Sequence, residues 1–345
     1  MSLGEGLTPL LAARRLGSEI GVPNLFIKNE GHNPTWSHKD RFSTVALTAA
    51  VDSGATIVAT SSTGNAGASL AAYAARAGLP CIVATSTGSS GPMISQIRKY
   101  GARVVAFEQK ADRWEFLKRG VERFGWFATS PYRHPVVGSH PIGIEGYKTI
   151  AFEIAEQMSG EVPDWCALPV CYGDALVGVW LGFRELLRDG AIARIPRLLA
   201  AEAHGSLRMA LELETDRIPE VRPHFDALAI SVGASRSTFQ ALKALRETGG
   251  VAIPVGNDGL IGFQEQIAAT EGAFLELSSV MSVAAVAAAR RDGVIRGHET
   301  VISVVTASGL KDVDRSSSPE TVRSFADVET ALESFEATGG NHLTA

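Results

Sequence analysis

The sequence predicts an α/β fold of two open, mostly parallel twisted sheets flanked by helices, forming two domains with a ligand cleft between them. Short β-branched or apolar runs alternate with alanine-rich helical patterns through most of the chain, as is typical of parallel sheets. Loops containing glycine follow several of these runs, where strands give way to helices. A stretch rich in proline, glycine and histidine at 130–143 predicts a crossover between the two domains.

The clearest strand–helix unit is predicted between residues 55 and 78, with a strand at 55–60 and a helix that ends on Gly78 as its C-cap. The same order recurs, with strands at 80–85, 102–107 and 125–129 and helices at 92–100 and 111–124. Past the crossover we predict strands at 164–170, 197–203 and 301–306, and an amphipathic helix at 326–337. The predicted domains are therefore a smaller one at 35–138, a larger ligand-binding one at 1–34 plus 139–315, and a C-terminal helix and tail at 316–345.

The apolar segment Cys166–Phe183 is long enough to suggest a membrane span. Asp174 lies at its middle, however, and Pro169, Gly173 and Gly178 divide it. We therefore interpret this segment as a buried strand, a turn and the start of a helix.

Composition limits the classes of partner. The 345 residues carry a net charge of −5 with scattered basic side chains, which argues against a nucleic-acid partner. Cys81, Cys166 and Cys171 are an odd number without the spacing of metal ligands, as expected in a reducing compartment. Because the N-terminus lacks the pattern of a signal peptide, we expect a cytoplasmic protein with no membrane partner.

Three loops that follow predicted strands carry side chains able to bind a small ligand. In the first, at 61–69, Gly64 permits a tight turn, and the start of the next helix can accept an anion such as a carboxylate. Asn65 in this loop either donates its amide to a ring hydroxyl or caps the helix. The candidate substrate-binding residues of this loop are Ser62, Thr63, Gly64 and Ala66.

In the second loop, at 168–178, a buried strand delivers Gly173 to a helix start, where backbone amides can bind a phosphate. Asp174 would repel a phosphate that it faced, whereas turned back onto the helix it would be an ordinary N-cap. In the third loop, at 301–312, the Thr306 hydroxyl either reaches a heteroaromatic nitrogen or has a structural role.

Lys39 lies between His38 and Asp40, just before a helix-like run. A lysine in this position is either a solvated charge at a helix start or a covalent catalyst. Burial would lower its pKa and allow the amine to condense with a carbonyl. The rest of the chain decides between the two interpretations.

Five segments together resemble the pyridoxal-phosphate enzymes of the tryptophan synthase β type and, within them, the threonine synthase branch. The segments occur in the family's order and span nearly the whole chain: GEGLTPLL at 4–11, NPTWSHKDR at 33–41, SSTGNAGAS at 61–69, EGYKTIAFEI at 145–154 and TASGLKD at 306–312. Lys-Asp-Arg and the closing Gly-Leu-Lys-Asp favour threonine synthase over the related dehydratases. The resemblance implies a pyridoxal 5'-phosphate cofactor, a small amino-acid substrate and a homodimer.

The resemblance also implies a role for each candidate residue. Lys39 forms the Schiff base with the cofactor and, once freed by the substrate amine, moves protons on the substrate carbons. Asn65 bonds the ring oxygen of the cofactor, and Thr306 meets its pyridine nitrogen. The cofactor phosphate is held by the loop of Gly173, Asp174, Ala175 and Leu176. Because Thr306 is not a carboxylate, we expect elimination or replacement at the β or γ carbon rather than transamination.

The chain departs from the family at several positions. Ala66 and Gly143 stand where threonine synthases have a threonine and an arginine for the substrate phosphate, so a bidentate partner is missing. Cys171, Tyr172 and Asp174 replace the customary glycine and asparagine of the phosphate loop. Trp36, at a small-residue position, is expected to narrow the space beside the cofactor. His38, where the family has an aromatic, is either an acid/base group or a hydrogen-bonded structural histidine, and we favour the structural role.

Three hypotheses of function follow. The first is a threonine synthase-like lyase that converts O-phosphohomoserine to threonine and phosphate by elimination and addition of water. The second keeps Lys39 and the cofactor but takes a small amino acid without a phosphate, as a dehydratase, an ammonia-lyase or a β-replacement enzyme. The third is a non-catalytic binding protein on the same scaffold, suggested by Asp174 in the phosphate loop.

Overall fold

A computed structural model describes residues 1–62, 64–89, 91–223, 225–316 and 324–337. Met1–Val313 form one compact unit, which contains both sheets and every candidate site residue, and Asp314–Ala345 fall in a second unit. The division of the larger unit into a domain at 35–138 and a domain at 1–34 plus 139–315 stays a prediction.

The strands of the described residues form two sheets, one of six strands and one of four. In chain order they are β1 (Leu10–Ala12), β2 (Leu25–Asn29), β3 (Val58–Ser61), β4 (Cys81–Ser86), β5 (Arg103–Phe107), β6 (Phe127–Ala128), β7 (Trp165–Pro169), β8 (Arg197–Glu202), β9 (Val251–Pro254) and β10 (Val301–Val305). The large sheet has the order β1-β2-β10-β7-β8-β9, and the small sheet has the order β5-β4-β3-β6. Only the pair β1–β2 is antiparallel, so the predicted fold of two mostly parallel sheets is confirmed.

Among the described residues, twelve α-helices lie between strands in chain order and two more follow β10. They are α1 (Arg14–Glu19), α2 (Lys39–Asp52), α3 (Asn65–Ala77), α4 (Pro92–Lys99), α5 (Asp112–Phe124), α6 (Pro141–Glu145), α7 (Lys148–Gln157), α8 (Asp174–Arg188), α9 (Ser206–Glu212), α10 (Phe239–Thr248), α11 (Leu260–Glu271), α12 (Leu277–Arg291), α13 (Val313–Ser316) and α14 (Val328–Ala337). Parallel strands need such crossovers, and helices are the usual solution.

Alternation along β10 shows how the large sheet is buried on both faces. Ile302 and Val304 pack into the core that the sheet shares with α7, α8 and α10, whereas Val301 and Val305 pack into the core on the opposite face, with α12. All five residues of this strand are buried. A strand covered on both faces is an almost continuous apolar run, and the one polar residue of β10, Ser303, is buried with its hydroxyl paired to that of Ser282.

The apolar segment Cys166–Phe183 behaves as the sequence predicted. It supplies most of β7, a turn at Gly173 and the first part of α8. No helix among the described residues is long and apolar enough to cross a membrane. Strands β1, β2 and β9 were not predicted, and of these β1 and β9 are short strands at the two edges of the large sheet.

Candidate active site

The predicted ligand-binding loops lie where strands end. Asn65 follows β3, Gly173 follows β7, and Thr306 directly follows β10. Ligand sites of open parallel sheets form at the carboxyl ends of the strands, where helix starts expose N–H groups. Each of these three residues therefore occupies a position suited to ligand contact.

Lys39 is the first residue of α2, and its side chain is half-buried. The amine donates a hydrogen bond to the Tyr147 hydroxyl at 3.2 Å. It also faces a small cavity whose described lining is Lys39, Phe42, Ser43, Thr60, Ala66, Leu70, Thr129, Ser130, Ser139 and Tyr147. Lys39 is therefore not a solvated charge at a helix start, and its amine is placed to meet a bound molecule.

Asp40 fixes the turn that precedes α2. One carboxylate oxygen accepts from the backbone N–H of Thr35 at 2.6 Å, and the other accepts from the hydroxyls of Thr35 and Ser69, each at 2.6 Å. These bonds join the turn, α2 and α3. The first turn of α2, from which the Lys39 side chain projects, is thereby anchored to the preceding turn and to α3.

The pKa of Lys39 differs from the sequence-based expectation. Burial of the ammonium group acts to lower this pKa, but Tyr147 and the Asp174 carboxylate favour the charged amine and hold the pKa above its ordinary value. Burial raises the pKa of Tyr147 itself to about 12, so its phenol is neutral near pH 7. The lowered pKa expected for Lys39 was based on burial alone, without the contributions of Tyr147 and the Asp174 carboxylate.

Asn65 is buried at the start of α3. Its side-chain amide donates to a carboxylate oxygen of Glu276 at 2.5 Å. Its carbonyl oxygen is buried and has no partner among the described residues. Since a buried polar atom normally has a partner, this oxygen marks a position where a ligand group can bind.

Thr306 is buried, and its hydroxyl pairs with the Ser279 hydroxyl at 3.0 Å. The same Ser279 hydroxyl accepts from the backbone N–H groups of Thr306 and Ala307. The carbonyl of Thr306 accepts from the backbone N–H of His38 at 2.8 Å and lies 3.2 Å from its Nδ1. Burial lowers the pKa of His38 well below its ordinary value, so the ring is neutral and hydrogen-bonded, as the structural role requires.

Gly173 precedes α8 with a φ of 93°, a backbone conformation that favours glycine. A Cβ there would lie 2.4 Å from the Cβ of Ala241. The N–H groups of Asp174, Ala175 and Leu176 begin the helix, where N–H groups lack intrahelical partners. Nearby, the Ser237 hydroxyl is buried without a partner among the described residues.

Asp174 is not an N-cap. Its two carboxylate oxygens accept from the backbone N–H and the hydroxyl of Ser139, at 3.2 Å and 2.6 Å. The carboxylate is thus turned toward the loop before α6 and toward Lys39, and it is engaged there. The N-cap alternative is wrong because Ser139, remote in sequence, provides two donors.

The predicted substrate-binding residues lie at the start of α3. Ala66 lines the cavity, whereas Ser62 and Gly64 precede the helix and are bonded to each other through the Gly64 N–H and the Ser62 hydroxyl at 3.3 Å. Thr63 lies outside the described residues. The structure therefore brings Ala66 to the cavity beside Lys39, and the roles of Ser62, Thr63 and Gly64 stay predictions.

The structure explains the glycine at position 143 and argues against the expected role of Trp36. A Cβ on Gly143 would lie 2.5 Å from the ring of Phe42, so the phenylalanine occupies the space that a side chain would need. Trp36 is 47% exposed, adopts a φ of 65° and does not belong to the described lining of the cavity. The expectation that Trp36 narrows the site finds no support in this arrangement.

Four further residues contribute to the site and were not predicted from the sequence. Tyr147 contacts Lys39, Ser139 binds Asp174, Glu276 binds Asn65, and Ser279 binds Thr306. Tyr147 lies inside the family-like segment 145–154 and could have been weighed there. The other three are common residue types whose contacts cross long stretches of chain, and no local pattern marks them.

The two sheets and the cavity beside the half-buried Lys39 indicate an α/β protein with a ligand site where its strands end. A family model described as "Pyridoxal-phosphate dependent enzyme" matches residues 1–307. The threonine synthase of Methanocaldococcus jannaschii is 35% identical over 318 residues, covering 91% of this chain and 77% of the relative. The threonine synthase of Mycobacterium tuberculosis is 35% identical over 315 residues, covering 91% and 84%.

Solved structures share the fold. Maize serine racemase superposes with a TM-score of 0.73 at 19% identity, covering 98% of this chain and 94% of the other. Threonine deaminase isoform 2 from Solanum lycopersicum superposes with a TM-score of 0.73 at 21% identity, covering 89% and 85%. The chain belongs to the pyridoxal-phosphate dependent enzyme family, with curated threonine synthases among its relatives.

The described residues fit the cofactor pyridoxal phosphate. The buried oxygen of Asn65 and the buried hydroxyl of Ser237 are both without a partner among the described residues, as expected of groups that face a polar ligand. The helix start after Gly173 offers N–H groups of the kind that bind a phosphate. The Lys39 amine, which has Asp174 of the same helix start as a neighbour, would be the nucleophile that the cofactor aldehyde requires.

Proposed function

We propose that this enzyme is a lyase of the threonine synthase kind, which releases phosphate from O-phosphohomoserine and adds water to give threonine. The proposal rests on one observation above all: Lys39 faces a cavity at the ends of parallel strands in a chain that is 35% identical to threonine synthases over 91% of its length. The five motif segments occur in the family's order.

Bound pyridoxal phosphate would supply an electron sink for carbanionic character on the substrate. Asn65 would bond its ring oxygen, Thr306 would meet its ring nitrogen, and Gly173 to Leu176 with Ser237 would hold its phosphate. Lys39 would hold the cofactor through its aldehyde. The amine of Lys39, when free, would be placed to take and return protons on the substrate carbons.

A second candidate is elimination or replacement on a small amino acid without a phosphate. Two observations favour it. Phe42 fills the space beside Gly143, and Lys39 is the only charged side chain in the described lining of the cavity. A phosphate dianion in such a cavity would lack the bidentate arginine that usually binds it.

Substrate assays separate the two candidates. Purified holoenzyme is incubated with O-phosphohomoserine and, in parallel, with serine, threonine and diaminopropionate, and inorganic phosphate, threonine and keto acids are measured. Release of phosphate with formation of threonine supports the first candidate. Formation of keto acid without any release of phosphate rejects it in favour of the second. Lys39→Ala serves as the control and is expected to be inactive on all four compounds.

We further infer a homodimer and a cytoplasmic location. The homodimer follows from the resemblance to the family, and the location follows from the three free thiols of Cys81, Cys166 and Cys171. Light scattering on the purified protein measures the mass of the assembly. A monomeric mass at micromolar concentration would reject the homodimer.

A further inference from the structure

Tyr147 is the polar side chain in contact with the amine of Lys39. Its hydroxyl accepts from the amine at 3.2 Å, and both residues line the same cavity. The amine also lies 5.6 Å from the centroid of the Tyr147 ring. A molecule that occupies the cavity therefore meets the Lys39 amine and the Tyr147 hydroxyl together.

Close packing of the backbone brings Tyr147 to this position. A Cβ on Gly146 would lie 1.9 Å from the carbonyl oxygen of Arg41, and a Cβ on Gly178 would lie 2.4 Å from the Cβ of Tyr147. These two glycines let the α6–α7 junction approach α2 on one side and α8 on the other. The Tyr147 ring then packs against His38 and Phe42, with centroids 5.4 Å and 6.0 Å away.

The titratable groups around Tyr147 come from α2, from the residue before it and from α8. Lys39 and Asp40 approach from α2, neutral His38 stacks on the ring just before α2, and Asp174 approaches from α8. Cys171 lies near Lys39, and burial raises the pKa of its thiol to about 11. Near neutral pH Lys39 is therefore an ammonium group and Tyr147 is a neutral phenol.

We propose that Tyr147 is a second catalytic residue, which exchanges protons with Lys39 and delivers a proton to the leaving group of the substrate. This role rests on the proposed function and deepens it. Nothing in the family resemblance assigns it, since the role follows from the contact of the hydroxyl with the amine and from the position of both groups on the cavity.

In one elimination, every proton taken up or given away by Lys39 and Tyr147 can be accounted for. Lys39 acts in its neutral form, after the ammonium group has given one proton to solvent: the amine takes a proton from the substrate carbon, and the electron pair of that C–H bond stays with the substrate. The bond from carbon to the leaving oxygen breaks with its electron pair on oxygen, and Tyr147 protonates that oxygen. The Lys39 ammonium then returns a proton to the Tyr147 phenolate across their hydrogen bond. Lys39 and Tyr147 end as they began, and the substrate has lost the leaving group and one proton.

The test is Tyr147→Phe in the holoenzyme, which removes the hydroxyl and keeps the ring. On whichever substrate the wild type converts, kcat should fall about 100-fold, the usual weight of general acid–base catalysis, while KM stays within about threefold. The acid limb of the kcat profile, which reports formation of the neutral Lys39 amine, should move to lower pH, because Tyr147 is one of the groups that raise the pKa of Lys39. The visible absorbance of the bound cofactor should persist.

Tyr73→Phe is the matched control. Tyr73 is also fully buried, but its hydroxyl donates to Glu5 and lies outside the described lining of the cavity. Its kcat should stay within about twofold of the wild type. An unchanged kcat in Tyr147→Phe, or a loss of kcat matched by loss of cofactor absorbance, overturns the catalytic role and leaves the proposed function intact. A wild type inactive on all substrates overturns both.

Discussion

Glu153→Gln tests the buried charge cluster that supports the start of α2. Glu153 accepts from Lys28 at 2.6 Å, from both terminal nitrogens of Arg41 at 2.6 Å and 2.8 Å, and from the backbone N–H groups of Leu7 and Thr8. Arg41 also binds Glu30 through two nitrogens. Two cations and two carboxylates are thus balanced inside the protein.

The structure gives the size of the effect. Burial acts to raise the pKa of Glu153, but Arg41 and Lys28 hold it at about 2, below its ordinary value of 4.5. At about 1.4 kcal/mol per pKa unit this difference corresponds to about 3 kcal/mol of folding free energy at neutral pH. Breaking a buried ion pair costs about 3–5 kcal/mol in other proteins. We therefore expect Glu153→Gln to lower the free energy of unfolding by about 3 kcal/mol, measured by urea titration at pH 7.

The lowered pKa of Glu153 also predicts how the stability of the protein changes with pH. A folded-state pKa below that of the unfolded chain contributes stability above about pH 4.5, and this contribution is lost as the pH falls toward about 2. The difference between wild type and Glu153→Gln should therefore shrink through that range. Glu115→Gln on the surface of α5, which removes an exposed pair with Arg119, should leave the urea midpoint unchanged. A difference that is absent at pH 7, or constant down to pH 2, would refute this account of the cluster.

Two further predictions concern the site and its surroundings. Gly173→Ala should destabilise the protein by about 1–3 kcal/mol and weaken cofactor binding, as measured by urea titration and by cofactor titration. Adding Ala241→Gly should recover only part of the lost stability, because it relieves the clash with Ala241 but leaves alanine at a φ of 93°. Burial lowers the pKa of Lys311 to about 8 from 10.5. The free energy of unfolding of the wild type should therefore rise by about 3 kcal/mol between pH 8 and pH 10.5, relative to that of Lys311→Met. If the free energies of the two proteins changed with pH in parallel, the prediction would be wrong.

Local patterns predicted the elements that lie around the site. The alternation of apolar runs and alanine-rich helical patterns predicted the parallel sheets, and glycines after the apolar runs predicted the loops at the strand ends. Boundaries shifted by a few residues: the strand predicted at 55–60 is Val58–Ser61, and the helix after it begins at Asn65. Since the predicted C-cap Gly78 has a φ of 70°, its role is confirmed.

Long-range contacts explain what the sequence did not predict. The three-residue strand β1 is too short for a periodic pattern and is defined by its pairing with β2. Tyr147 reaches Lys39 only because Gly146 and Gly178 permit close backbone packing. The pKa of Lys39 depends on Asp174, a residue far away in the chain. Such effects depend on tertiary structure, and a lysine pKa cannot be deduced from its sequence neighbours.

The most direct test of the account is to find which lysine carries the cofactor. The holoenzyme is reduced with borohydride, digested, and analysed by mass spectrometry for a peptide that carries the reduced cofactor. The account predicts the label on Lys39, whose amine faces the cavity. Lys311, also buried but bonded to the Thr35 carbonyl and to Gln96, should be unlabelled. A label on Lys311, or no labelled lysine in a protein reconstituted with pyridoxal phosphate, would contradict the account.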